Sequence, residues 1–236
     1  LYSVTSLWGN PRLAGEVWQI RSPDSHRATV YLVNLYLDEQ DMRTAEKLLR
    51  LYHERNPNAA HSEIRRLLIL CEQQQGTLGS ASLADLKRDL RTSTFSHHVD
   101  GTLSAILDLI EQERCTIVGL DDIYEMAESL LDNPRFNARV TRHNLHLLSS
   151  RVATAQGKLA LTMQHLEAAL RSYPNAQTLA YAINILFNAG LYSEVPALIE
   201  FARSLETGHT PRAMRFRKGV KEIERNAMNR ILEESS

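Results

Sequence analysis

Pro23 and Pro57 stand 34 residues apart, and each closes a stretch that reads as two short amphipathic helices. Proline stops a helix because it has no N–H to give and its ring collides with the preceding turn. Two stops at this interval leave room for one helical hairpin. A lone hairpin cannot bury its apolar stripe, so hairpins of this length have to stack on one another. The spacing therefore predicts an all-α chain folded as an α-solenoid, a right-handed superhelix of about six stacked antiparallel hairpins. Such an array is a surface for holding something, and its period does not name what is held.

Composition agrees with helix throughout. Of the 236 residues, 43% are hydrophobic, 6% are aromatic and ten are glycine, enough apolar surface for a core without staples. Lys and Arg total 27 against 28 Asp and Glu, so no overall field draws nucleic acid or an acidic membrane, and any such attraction must be local. No run approaches the roughly 18 to 20 apolar residues that span a bilayer, and the basic and apolar blocks of a signal peptide are lacking. The segment is expected to be soluble. Beginning at Leu1 without methionine, it reads as a processed protein or a piece of a longer one. Cys71 and Cys115 are compatible with one disulfide in an oxidising compartment or two buried thiols in a reducing one.

Helix starts are legible at Asn10-Pro11, Ser25 and Thr210-Pro211, and a stop at Asn56-Pro57. From Asn58 to Asn133 the pairing continues but the period slips. Helices are expected over Ser62 to Gln74, after Ser82 with Asp85 in capping-box position, after Asp100, and from Leu120 to Leu131, with polar breaks at Gly76 to Ser80 and Ser93 to His98. Pro57 to Pro134 spans 77 residues where two ideal repeats take about 68. After Pro134 the spacing predicts a helix over Phe136 to Gln156, a turn at Gly157, a second helix stopping at Tyr173-Pro174, and a further hairpin with its turn at Gly190 and Pro196 in the first turn of the last helix. One domain spans 1–236: a capping helix (1–22), a first repeat (23–57), degenerate repeats (58–134), two recognisable repeats (135–207) and a basic capping helix (208–236).

In the first hairpin Leu32, Tyr36, Ala45 and Pro57 match the tetratricopeptide pattern, with Thr29, Val33 and Leu49 at its tryptophan, glycine and second aromatic positions. A second unit keeps Gly157, Ala169 and Pro174 but carries Ser149-Ser150, and a third keeps Phe187, Gly190 and Ala202. Over about half its length the chain resembles the tetratricopeptide-repeat family. A narrower resemblance lies in Leu7-Trp8, Leu13-Ala14, Trp18, Ser22-Pro23-Asp24-Ser25, Arg27-Ala28, Leu32 and Leu35-Tyr36. These look like the segment after the last membrane helix of bacterial multi-pass envelope proteins of the glycosyltransferase or polysaccharide-polymerase type. That resemblance implies a tail on the periplasmic side of the inner membrane. Alternatively, Trp8 and Trp18 simply cover the open end of the core.

The motifs of catalysis are missing: no nucleophile elbow, phosphate-cradling glycine loop, paired Cys-x-x-Cys or His-Glu-x-x-His. No catalytic residue, cofactor or metal is expected. His97-His98 lack further ligands by spacing, and His143 with His146 reads as packing rather than chelation. In helical-hairpin arrays the first helix of each pair lines the concave face. This places His26, Asn34, Asp38, Arg142, Asn144, Arg151, Tyr181, Asn184 and Asn188 toward a groove suited to a protein or peptide partner, or to a glycan. At the C-terminus Arg212, Arg215, Arg217, Lys218, Lys221, Arg225 and Arg230 outnumber Glu222, Glu224, Glu233 and Glu234, while Ala213, Phe216, Val220, Ile223, Ala227 and Ile231 form an apolar stripe. The helix reads as a cap with a solvated basic face. A functional alternative is contact of Arg215, Arg217, Lys218 and Lys221 with an anionic membrane or acidic partner.

The expected function is a non-catalytic interaction scaffold, the periplasmic tail of an envelope membrane protein linked to glycan or exopolysaccharide assembly. The alternatives are a regulatory tail of a membrane glycosyltransferase or polymerase whose chemistry lies outside this chain, and a cytoplasmic tetratricopeptide adaptor.

Overall fold

A computed structural model describes residues 9–74, 80–205 and 208–234. Among them the chain is all-helical, with twelve α-helices and no strand. It divides into two compact units, Leu1–Val118 and Gly119–Ser236.

The first unit holds α1 (Pro11–Arg21), α2 (His26–Asp38), α3 (Met42–Arg55), α4 (Ala60–Gln73), α5 (Ser80–Leu90) and α6 (Val99–Glu111). First-turn N–H groups need acceptors outside the helix, and short polar side chains supply them. Asn10 accepts from Leu13 with Pro11 beside it, Ser25 from Ala28 and Asp41 from Thr44. Helix α3 ends before Asn56-Pro57, as the proline demands. All six packing positions of the first hairpin are buried: Thr29, Leu32, Val33 and Tyr36 on α2, Ala45 and Leu49 on α3. Ala45 is small enough to let the two axes close on one another. Helix α1 approaches α2 through Gly15, where a Cβ would meet Leu32 at 3.1 Å and Tyr31 at 3.2 Å. Trp18 leans on Tyr31 yet stays 42% exposed, so it covers little of the core. Leu7 and Trp8 lie outside the described residues.

Helix α4 is the hub of this unit, touching α3, α5 and α6 and burying Ile64, Leu67 and Ile69. Near its end Cys71 is bonded to Cys115, which follows α6. Two starts differ from expectation. Helix α5 already runs at Ser80, so Ser82 lies inside it and Asp85 pairs with Arg88 at 2.8 Å rather than closing a capping box. Helix α6 begins at Val99 after His98, which leaves Asp100 in the first turn, where its charge faces the positive end of the helix dipole, instead of at the cap. Of the expected break at Gly76 to Ser80, residues 76–79 lie outside the described residues.

The second unit holds α7 (Leu120–Asp132), α8 (Arg139–Ala155), α9 (Leu159–Ser172), α10 (Ala176–Asn188), α11 (Val195–Leu205) and α12 (Pro211–Glu234). A 3₁₀ turn over Pro134–Phe136 replaces the expected start of α8. Asn133 accepts from the Arg135 N–H, and the turn drives Phe136 into the core, 1% exposed. Gly157 at φ 68° and Gly190 at φ 69° take the left-handed turns after α8 and α10 that only glycine adopts cheaply. Helix α9 stops at Tyr173-Pro174, and Pro196 sits in the first turn of α11. From α8 onward each helix touches its successor, and α8 also meets α10, α9 meets α11 and α10 meets α12. Small residues at these crossings, Ala169, Ala182 and Ala202, are fully buried.

The apolar stripe of α12 lies down as predicted, with Ala213, Phe216, Val220 and Ala227 buried over α10 and α11. Gly219 sits where a Cβ would come within 2.5 Å of the Ala176 Cβ at the start of α10. Gly219→Ala is therefore expected to destabilise the second unit by about 1 kcal/mol. The overpacking cost of about 1 to 3 kcal/mol is offset in part by about 1 kcal/mol gained on removing glycine from a helix. Urea unfolding checks this; a more stable variant would mean that the two helices do not meet there.

Candidate functional site

Alternate helices of the first unit converge on one cleft of ≈ 550 Å³. Helix α2 contributes Val30 and Asn34, α4 contributes Arg65 and Leu68, and the start of α6 contributes Thr102 with the preceding His98. In the chain, α3 and α5 lie between these three helices. Arg65 and Asn34 are joined by a guanidinium-to-amide hydrogen bond. Burial pushes the Arg65 pKa down. Asn34 is a neutral partner, so the guanidinium is left with donors to spare and, among the described residues, no carboxylate on it. Val30, Leu68 and Ala105 give the same cleft an apolar part. His97 and Asp100 also line it.

Between α2 and α4, His61 Nε2 lies 2.9 Å from His26 Nδ1, with the rings nearly perpendicular, and Ser62 reaches His53. The His61 Nδ1 atom is buried and has no hydrogen-bond partner. The proton assignment that fits this pattern puts a proton on His61 Nε2, donated to His26, and leaves Nδ1 bare. A second proton would enter a buried site without an acceptor. Burial, His26, His53 and Arg65 accordingly lower the His61 pKa to about 4, and burial, Arg65 and His98 lower that of His26.

A matching network lies in the second unit. The Tyr124 hydroxyl is 3.0 Å from His165 Nε2, and His165 Nδ1 is 3.2 Å from His146 Nδ1. One consistent direction satisfies all three: Tyr124 donates to His165, which donates to His146. Glu128 accepts from Ser149 at 3.2 Å and stands 3.9 Å from His165 Nε2. Burial, with His165, Arg142 and His143 nearby, lowers the His146 pKa to about 4. His143, beside it in sequence, has Nδ1 3.4 Å from the Ala169 carbonyl and its ring against Tyr173. Among the described residues no three His, Cys, Asp or Glu side chains are placed to hold a metal ion.

Of the residues singled out from sequence, Asn34 lines the cleft and His26 meets His61 outside its lining, whereas Asp38 is exposed at the end of α2. Arg142 donates to the Leu131 carbonyl at 3.0 Å and so caps the end of α7. Asn144 and Arg151 are half-buried on α8, and Tyr181, Asn184 and Asn188 share one exposed face of α10. Arg215 lines a second, smaller cleft of ≈ 330 Å³ with Tyr173, Asn175, Arg212 and Phe216. Arg217, Lys218 and Lys221 follow it along α12. Arg65 and His165 escaped sequence reading because a single arginine or histidine on a helix carries no mark of its distant partner.

No known protein family, curated protein or solved structure matches this chain. No helix among the described residues is long and apolar enough to cross a membrane.

Proposed function

We propose that the chain is a non-catalytic interaction module of the tetratricopeptide kind, whose hairpins stack so that the first helix of each pair faces a polypeptide partner. The observation that carries this reading is the cleft shared by α2, α4 and α6, three alternate helices with α3 and α5 between them in the chain. Hairpin stacking brings first helices onto one side in this way. Contacts between each helix and the next but one from α8 to α12 support the same arrangement in the second unit. Within the cleft, an extended segment meets guanidinium donors at Arg65, the Asn34 amide and the apolar patch of Val30 and Leu68.

The Cys71–Cys115 bond supports an oxidising compartment over a reducing one, and so the periplasmic tail of a bacterial envelope protein over a cytoplasmic adaptor. Parallel peptide and glycan arrays probed with wild type and with Asn34→Ala/Arg65→Ala test the module. Peptide binding that the double variant loses is expected. Binding confined to glycans would replace the polypeptide with a sugar chain, and no binding to either array would remove the reading.

A further inference from the structure

The basic face of α12 is separate from that cleft. Of its seven arginines and lysines, Arg212 lies 5.4 Å over the Tyr173 ring and Arg230 lies 4.4 Å over Phe187. Arg215, Arg217, Lys218, Lys221 and Arg225 form no ion pair among the described residues. Glu224 is held by Arg203, which leaves Glu222 as the acid set among those five cations. The apolar stripe of the helix is spent on α10 and α11, so the opposite side is what it offers outward. Lys218, Lys221 and Arg225 recur there at three- and four-residue steps, and Met214 and Leu232 continue the same line at its two ends. Both are open to solvent, 58% and 67% exposed. At about 1.5 Å per residue this ridge is roughly 27 Å long.

We propose that this face of α12 rests on a bilayer surface rich in anionic lipid. Charge complementarity selects an anionic occupant, and the form of the surface selects among anions. A ridge along a single helix fits a flat sheet better than a groove-bound chain. Lysines are point charges that suit scattered headgroup phosphates, while the stems of Lys218 and Lys221 can lie among acyl chains with their ammonium groups at the surface. Met214 and Leu232 then dip into the headgroup boundary at either end. Nucleic acid binding without base pairing would want aromatic side chains for stacking, and this face carries none.

Vesicle sedimentation tests the proposal, using phosphatidylcholine alone and phosphatidylcholine with about one-third phosphatidylglycerol, at low and high salt. Binding to the anionic vesicles that salt weakens is expected, with none to the neutral ones. Lys218→Gln/Lys221→Gln/Arg225→Gln should weaken it by about 100-fold, at about fivefold for each cation near the surface. Arg27→Gln/Arg43→Gln/Lys47→Gln removes the same charge from exposed sites of the first unit and should leave binding unchanged. All six positions are exposed or half-exposed, and an unaltered unfolding midpoint confirms that each variant is folded. Absence of sedimentation with anionic vesicles, or equal losses in the two variants, overturns the proposal. So does α12-dependent binding to polyglutamate by a protein that ignores vesicles, which would assign the face to an acidic protein.

Discussion

Replacing Cys71 and Cys115 together with alanine is expected to cost the first unit about 4 kcal/mol of unfolding free energy. The bond joins residues 44 apart in sequence, and closing a loop of that size in the unfolded chain removes about 4 kcal/mol of its entropy. The effect falls on the packing of α4 against the segment after α6, because Cys71 is fully buried near the end of α4 and Cys115 is 6% exposed. Hydrogen exchange resolves where stability is lost. Amides of α4 and α6 should exchange several hundredfold faster in the variant, while those of α9 and α10 keep their rates. Unchanged exchange in α4 and α6 would mean that the two cysteines are not joined in the folded protein, and the argument for an oxidising compartment would go with them.

Acid is expected to weaken both units. The folded-state pKa of His61 and of His146 is lowered to about 4 from an ordinary value of 6.5. The unfolded chain takes up these protons first, so stability is fully present above pH 6.5 and falls as pH drops through the window from 6.5 to about 4. Allowing for the solvent that reaches both rings, each site contributes about 1 kcal/mol of loss between neutral pH and pH ~5. His26, His143 and His165 are shifted in the same direction and add to it. The cause is visible in the contacts: a second proton on His61 has no acceptor, and one on His146 faces His165, Arg142 and His143. Urea midpoints measured from pH 7.5 to about 4.5 should fall steadily, and His61→Gln with His146→Gln should flatten the acid limb. A pH-independent midpoint in the wild type would mean that these rings already sit protonated or are not enclosed.

Local signals carried much of the fold. Asn10, Ser25 and Thr210 cap as written, Pro57 and Pro174 mark stops, and Gly157 and Gly190 take the positive φ their turns require. Each acts within four residues, the range over which sequence speaks for itself. Starts were misread where two neighbours competed for one role. Asp100 had the chemistry of a cap, but the helix opened at Val99, and a 3₁₀ turn burying Phe136 displaced the start of α8. The site was legible in part. Asn34 followed from the facing of α2, while Arg65 became visible only across the 31 residues that separate it from Asn34. His165 likewise draws its meaning from Tyr124 and His146, 41 and 19 residues away. Such meetings are decided by how helices distant in sequence pack on one another, which no local pattern encodes.

The claim that the chain holds a polypeptide in the cleft of α2, α4 and α6 is tested most directly by calorimetric titration of an array-selected peptide into wild type and Arg65→Ala. Removing a partly buried guanidinium that bonds the ligand should cost about 1.5 to 3 kcal/mol, a rise in Kd of about 10- to 100-fold. Arg43→Ala/Lys47→Ala, on the exposed face of α3, the second helix of its pair, should bind as wild type does. Equal affinity in wild type and Arg65→Ala, or a loss confined to the α3 variant, would contradict the account and move the partner elsewhere on the molecule.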